Sequence, residues 1–231
     1  MRNGKGKEYN CQNRLIFEGN YLNGERCGTG REYNYYYGSS FPFEGEYLNG
    51  KRNGKGKEYH YNGKLQFEGE YLNGLRNGKG KEYNSKNRLI FEGKFLKGER
   101  YGIGREYNFN GELVFEGEYL NGKRNGKGKE FRQNELMFEG EYLNGEKNGK
   151  GKEYISELVL SYIKRMINNK KTRKLRKTYI VLMCEYFNKK NDEKGDGNNY
   201  NKYLISESQY LKGEKYGKVK NYFKGKLLFE K

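Results

Sequence analysis

Between Ser161 and Thr178 stand eight basic side chains, Lys164, Arg165, Lys170, Lys171, Arg173, Lys174, Arg176 and Lys177, with no acid among them. Such a run can hold anions, since each cation beside an anionic surface contributes about 1 kcal/mol. Just upstream, Ile155, Leu158, Val159, Tyr162, Ile163, Met166 and Ile167 fall mostly three or four residues apart, the pattern of a short amphipathic helix. An apolar helix face beside a polybasic run is what an interfacial membrane segment requires, so an anionic phospholipid surface is one expected ligand. The apolar stretch that follows, residues 179–187, is too short to cross a bilayer. Two structural readings compete with this one. The run is a solvated loop, or it is decayed repeat sequence, because Glu157-Leu158-Val159 echoes Glu112-Leu113-Val114. Nucleic acid is the poorer ligand, because the run lacks interleaved aromatic residues and no base-reading motif surrounds it.

Catalytic and metal chemistry find little purchase elsewhere. His60 is the only histidine and occupies a turn position that sister segments fill with Asn. Carboxylates such as Glu44, Glu46 and Glu58 recur at fixed intervals, which suits cross-strand pairing better than acid-base work. No Gly-rich stretch carries the Lys-Ser/Thr of a phosphate loop. In the calcium-loop-like stretch from Asp192 to Gly197, Lys194 stands where a ligand oxygen is needed. Cys11, Cys27 and Cys184 lack metal-site spacing, and Cys11 and Cys27 are expected in variable turns as free thiols of a reducing compartment. The reading is therefore non-catalytic, with no cofactor and no metal. The opening Met1-Arg2-Asn3-Gly4-Lys5-Gly6 has no apolar signal region, and a cytoplasmic placement, peripheral to a membrane if the basic run binds lipid, follows.

The elements that position these groups come from a repeat. A Phe-Glu-Gly triplet returns at Phe17, Phe43, Phe67, Phe91, Phe115 and Phe138, at steps of 26, 24, 24, 24 and 23 residues. Each unit holds two strand-sized halves separated by turn signals: FEGEYL, then Asn49-Gly50, then GKGKEY, then a second turn around Asn62-Gly63. Length variation gathers at the turns, around Gly38-Ser39-Ser40 and Gln133-Asn134. Alternation puts Phe43, Gly45 and Tyr47 on one face and Glu44 and Glu46 on the other, opposite Lys55 and Lys57, with Gly54 and Gly56 expected among the rings. The composition agrees. An apolar fraction of 33% is low for 231 residues, but 24 Tyr and 13 Phe give an aromatic fraction of 16%, enough for a repeated layer of rings. The expected fold is all-β, an elongated single-layer antiparallel sheet of tandem hairpins over residues 1–154. A basic insertion over 155–198, helical or disordered, precedes a degenerate final repeat over 199–231.

The pattern Phe43-x-Gly45-x-Tyr47-x-x-Gly50-x-x-x-Gly54-x-Gly56 resembles the MORN repeat (membrane occupation and recognition nexus). It recurs with Phe17, Gly19, Tyr21, Gly24, Gly28 and Gly30, and with Phe115, Gly117, Tyr119, Gly122, Gly126 and Gly128. The family's usual form has Tyr at the first position and an aromatic residue, often Trp, at the fifth; this chain has no Trp. The resemblance implies a scaffold that mediates protein association, often near membranes. The residues expected to carry that association, or to form the core, are Phe43, Tyr47, Phe67, Tyr71, Phe115, Tyr119, Phe138 and Tyr142. The sequence opens on a second half-unit and closes on the start of another, so exposed sheet edges are expected to pair copies into a homodimer, or else the array is a fragment.

Overall fold

A computed structural model describes residues 1–34, 40–156, 202–223 and 226–230. These residues are all-β. The strands are β1 (Gly4–Tyr9), β2 (Leu15–Leu22), β3 (Glu25–Asn34), β4 (Ser40–Leu48), β5 (Lys51–Tyr59), β6 (Leu65–Leu72), β7 (Leu75–Tyr83), β8 (Leu89–Leu96), β9 (Glu99–Tyr107), β10 (Leu113–Leu120), β11 (Lys123–Arg132), β12 (Glu135–Leu143), β13 (Glu146–Ser156), β14 (Lys202–Leu211), β15 (Glu214–Phe223) and β16 (Lys226–Glu230). They form an open antiparallel sheet whose strand order is the order of the sequence. The chain divides into two compact units, Met1–Gly111 with Tyr119–Gly122, and Glu112–Glu118 with Lys123–Lys231.

Hairpin chemistry sets the register. Asn49 (φ 49°) and Gly50 (φ 75°) both take the left-handed backbone that a tight two-residue turn demands. Phe43 then faces Glu58 and Gly45 faces Gly56, while Tyr47 faces Arg52, so β5 carries a bulge at Asn53-Gly54. The same shift recurs in the β6–β7 pair, where Tyr71 faces Arg76. Gly54, expected among the rings, instead takes φ 97° at this bulge, and a Cβ there would meet the Glu46 carboxylate at 2.1 Å. Cys27 likewise sits in strand β3 and not in a turn.

In the first unit the core is one line of rings. Phe17, Phe43, Phe67 and Phe91 are fully shielded, and Tyr21, Tyr47, Tyr71 and Phe95 nearly so. Each Phe meets one ring of its own strand and one of the next unit edge-on: Phe43 lies 5.7 Å from Tyr47 and 5.0 Å from Tyr71. Glycine makes this possible, because a Cβ on Gly56 would stand 2.4 Å from Phe43 Cζ. In the second unit Phe138 packs in the same way against Tyr142 and Tyr210.

The second unit also shows the motif decaying. Ser206 faces Asn221 and Glu207 faces Lys220, which puts Ser206, Ser208 and Val219 where other copies have Phe, Gly and Gly. The non-hydrogen side-chain atoms lost from Phe to Ser equal those gained from Gly to Ser and Gly to Val. Ser206 is fully buried, and its hydroxyl donates to Glu153 at 3.1 Å and accepts from Lys215 at 2.9 Å. A polar cluster thus replaces the ring. Strand β13 runs on through Ser156, so Ile155, expected in a helix, is buried in a strand and pairs with Tyr203.

Candidate functional site

The two faces of the sheet use their charges differently. On the ring face, Arg26, Arg52, Arg76 and Arg100 each lie 4.1 Å above the centroid of Phe17, Phe43, Phe67 and Phe91 respectively. Each guanidinium bridges two glutamates: Arg52 binds Glu32 and Glu58, Arg76 binds Glu58 and Glu82, and Arg100 binds Glu82 and Glu106. Tyr21 and Tyr47 donate to Glu8 and Glu32 at 2.8 and 2.9 Å. Burial first, and these carboxylates second, push the Tyr21 hydroxyl up to about 12 and raise that of Tyr47 further. In the second unit, Arg124 covers Phe115 at 4.1 Å and Lys147 covers Phe138 at 3.8 Å. All eight aromatic residues singled out in the sequence, Phe43, Tyr47, Phe67, Tyr71, Phe115, Tyr119, Phe138 and Tyr142, therefore lie in the core, at most 4% exposed. Their burial fits the core half of that expectation.

The opposite face of the first unit forms a groove enclosing about 1530 Å³. Its walls are rows of charge that alternate strand by strand from β1 to β7: Lys5 and Lys7 on β1, Glu18 on β2, Arg31 on β3, Glu44 and Glu46 on β4, Lys55 and Lys57 on β5, Glu68 and Glu70 on β6, and Lys79 and Lys81 on β7; β8 breaks the pattern, with Glu92 beside Lys94, which faces Lys79, and β9 adds Arg105. Registers place Lys57 opposite both Glu44 and Glu68, and Lys55 opposite Glu70.

Five of the six groove carboxylates are engaged by their own chain. Tyr33, Tyr59, Tyr83 and Tyr107 donate to Glu18, Glu44, Glu68 and Glu92 at 2.5, 2.6, 2.6 and 2.6 Å. Burial first, then the glutamate beside it, pushes the Tyr33 hydroxyl up to about 12 and raises Tyr59 and Tyr83 as well. The second acid column clips the bulge: Glu70 accepts the Lys79 amide at 3.1 Å, next to Gly78 at φ 101°. The basic side chains divide. Arg31 pairs with Glu44 at 3.4 Å and Arg105 with Glu92 at 3.7 Å, whereas Lys55, Lys57, Lys79 and Lys81 have no ion-pair partner within 4.0 Å among the described residues. These four lysines are exposed.

The repeating glycine bulges, tight turns and ring layer make a family comparison decisive. The MORN repeat profile matches residues 17–34, 43–64, 67–88, 115–135 and 138–156. The chain is a MORN-repeat protein. No curated protein matches it significantly. The copy from Phe91 lies outside these five matches but keeps the strand pairing of its sisters, although Lys94, Phe95 and Lys97 replace the usual Glu, Tyr and Asn.

The basic run, Lys164, Arg165, Lys170, Lys171, Arg173, Lys174, Arg176 and Lys177, lies outside the described residues, as do Leu158 to Ile167 of the expected helix. Strands β13 and β14 on either side of it pair directly, Tyr154 with Leu204. Among the described residues no cluster of His, Cys, Asp and Glu could hold a metal ion, and no helix is long and apolar enough to cross a membrane. Sequence reasoning missed two features: the arginine column over the Phe rings and the tyrosine column on the groove glutamates. Both had a signal, since Arg or Lys recurs two residues before each bulge glycine and Tyr recurs after Lys-Glu or Arg-Glu.

Proposed function

We propose that this MORN-repeat protein is a non-catalytic scaffold that associates with other proteins through the charged groove of its first unit. The observation that carries this reading is the contrast between the faces. One is closed over its rings by arginines held between glutamates; the other is open, with exposed lysines two strands apart, about 9.6 Å at ordinary strand spacing. A regular row of exposed side chains on a rigid sheet suits extended docking, and repeat arrays typically bind along such surfaces. The test is lysine acetylation footprinting of the chain alone and in complex with a protein it captures. Protection is expected at Lys55, Lys57, Lys79 and Lys81 and not at Lys51, the first residue of β5, or at Lys64, beside the following turn. Unchanged reactivity in the groove would refute it. A second reading, a peripheral anionic-phospholipid binder acting through Lys164 to Lys177, is favoured by the density of charge in that run alone. Co-sedimentation with anionic and neutral vesicles, with and without residues 157–201, decides it.

A further inference from the structure

The groove is lined by nine basic side chains and six glutamates, and the hydrogen bonds of the glutamates tilt what it offers a ligand further toward the bases. The four glutamates of the first acid column each accept a tyrosine hydroxyl on one oxygen, and Glu70 accepts a backbone amide, so part of their acceptor capacity is already used within the sheet. The ammonium groups of Lys55, Lys57, Lys79 and Lys81 have no such internal partner among the described residues. We propose that the groove recognises an acidic polypeptide segment lying across the strands, its carboxylates paired with these lysines. This rests on the reading of the groove as the association surface and names the chemistry of its partner. Rows on β5 and β7 are two strands apart, about 9.6 Å, and an extended chain advances about 3.3 Å per residue, so carboxylates every third residue meet successive rows. Recognition by exposed lysines acts through attraction in solvent and therefore weakens with salt.

Two copies within the array supply a compatible variant. Thr29 and Ile103 stand where other units have Lys55 and Lys79, on strands that keep the Phe–Glu, Gly–Gly and aromatic–Arg pairs and differ only at the bulge, where Asn20 and Lys94 replace Glu46 and Glu70. Lys55→Thr with Lys79→Thr is therefore expected to keep the fold, and a urea midpoint matched to the unaltered chain checks it. The chain has no Trp, so Ile103→Trp, at an exposed position lining the groove, gives a single emission reporter. It separates groove binding from attraction of anions to the basic run at Lys164–Lys177. The experiment titrates the full-length Ile103→Trp protein with a Glu-Gly-Gly repeat peptide, a Lys-Gly-Gly repeat peptide and phosphatidylserine vesicles. The expected result is a saturable emission change with the acidic peptide alone, weakened roughly tenfold by Lys55→Thr/Lys79→Thr and further by added salt. No emission change with the acidic peptide overturns the inference, as does one insensitive to the lysine changes. A response to vesicles without one to peptide overturns it in favour of a lipid surface. If groove lysines are footprinted by a captured protein while the acidic peptide leaves the reporter unmoved, the association surface stands and its acidic partner falls.

Discussion

The Arg76 guanidinium lies 4.1 Å above the centroid of the Phe67 ring while binding Glu58 on one side and Glu82 on the other. One residue thus caps the core ring and links neighbouring hairpins, and the same arrangement at Arg26, Arg52 and Arg100 makes the ring face a continuous closed layer.

Removing the cap exposes Phe67 and leaves two glutamates short of a partner. Arg76→Ala is expected to cost about 2–3 kcal/mol in urea unfolding, combining the ring contact with hydrogen bonds to charged groups. Arg76→Lys should cost about 1 kcal/mol, because Lys147 already serves over Phe138 while pairing with Glu130 at 3.0 Å. Equal losses for the two variants would count against the guanidinium geometry.

The glycines are not equivalent. Gly56→Ala drives a Cβ to 2.4 Å from Phe43 and is expected to cost about 3 kcal/mol or more, whereas Gly50→Ala meets nothing within 4 Å and carries only the left-handed backbone penalty of about 1–2 kcal/mol. Following the exchange seen at Ser206 and Val219, Phe43→Ser and Gly56→Val together should destabilise less than the sum of the single changes, by about 1 kcal/mol or more of coupling. Additive costs would mean that the decayed copy is not a compensated core.

Stability should fall at both ends of the pH scale. Hydrogen bonds from Arg26 hold the Glu8 carboxyl below the usual range against the pull of burial. Burial works against ionisation of Glu153, yet the hydrogen bonds and charge of Lys215 hold it low too. Their folded values lie below their unfolded ones, so their contribution is present above about pH 4 and is lost as pH falls through the folded values. Tyr21 and Tyr33 run the other way. Raised to about 12 by burial and a neighbouring glutamate, they contribute fully below about pH 10, and that contribution is lost as pH rises to about 12. The urea midpoint plotted against pH, alongside the phenolate absorbance, checks both limbs.

Among the described residues, two turns carry Lys in place of the Asn of Asn-Gly. Lys97 and Lys212 hold φ 52° and 47° where sister copies have Asn, a residue that tolerates that backbone better. Lys97→Asn is expected to stabilise the chain by about 0.5–1 kcal/mol, read as a higher urea midpoint with unchanged slope.

The sequence disclosed most of the fold through the recurrence of Phe43-x-Gly45-x-Tyr47, because ring, glycine and turn each impose a distinct local requirement. Alternation also assigned Glu44 and Lys57 to one face, where the strand register sets them opposite each other. What it could not supply was the bulge: the shift between Gly45 and Tyr47 sets Gly54 against Glu46 and brings Arg52 opposite Tyr47. The column of arginines, and with it the closure of the ring face, follows from that shift. Nor could spacing reveal that Glu44 is engaged by Tyr59, fifteen positions along the chain, while Lys57 is left open to solvent.

The most direct test of the account blocks the groove without touching the rings. Thr29→Trp/Lys79→Trp places bulk on two groove-lining positions, and Tyr61→Trp places it at an exposed turn as the control. With circular dichroism and urea midpoints matched, the account predicts that proteins captured by the unaltered chain are lost from the groove variant and retained by the turn variant. Undiminished capture by the groove variant would contradict it.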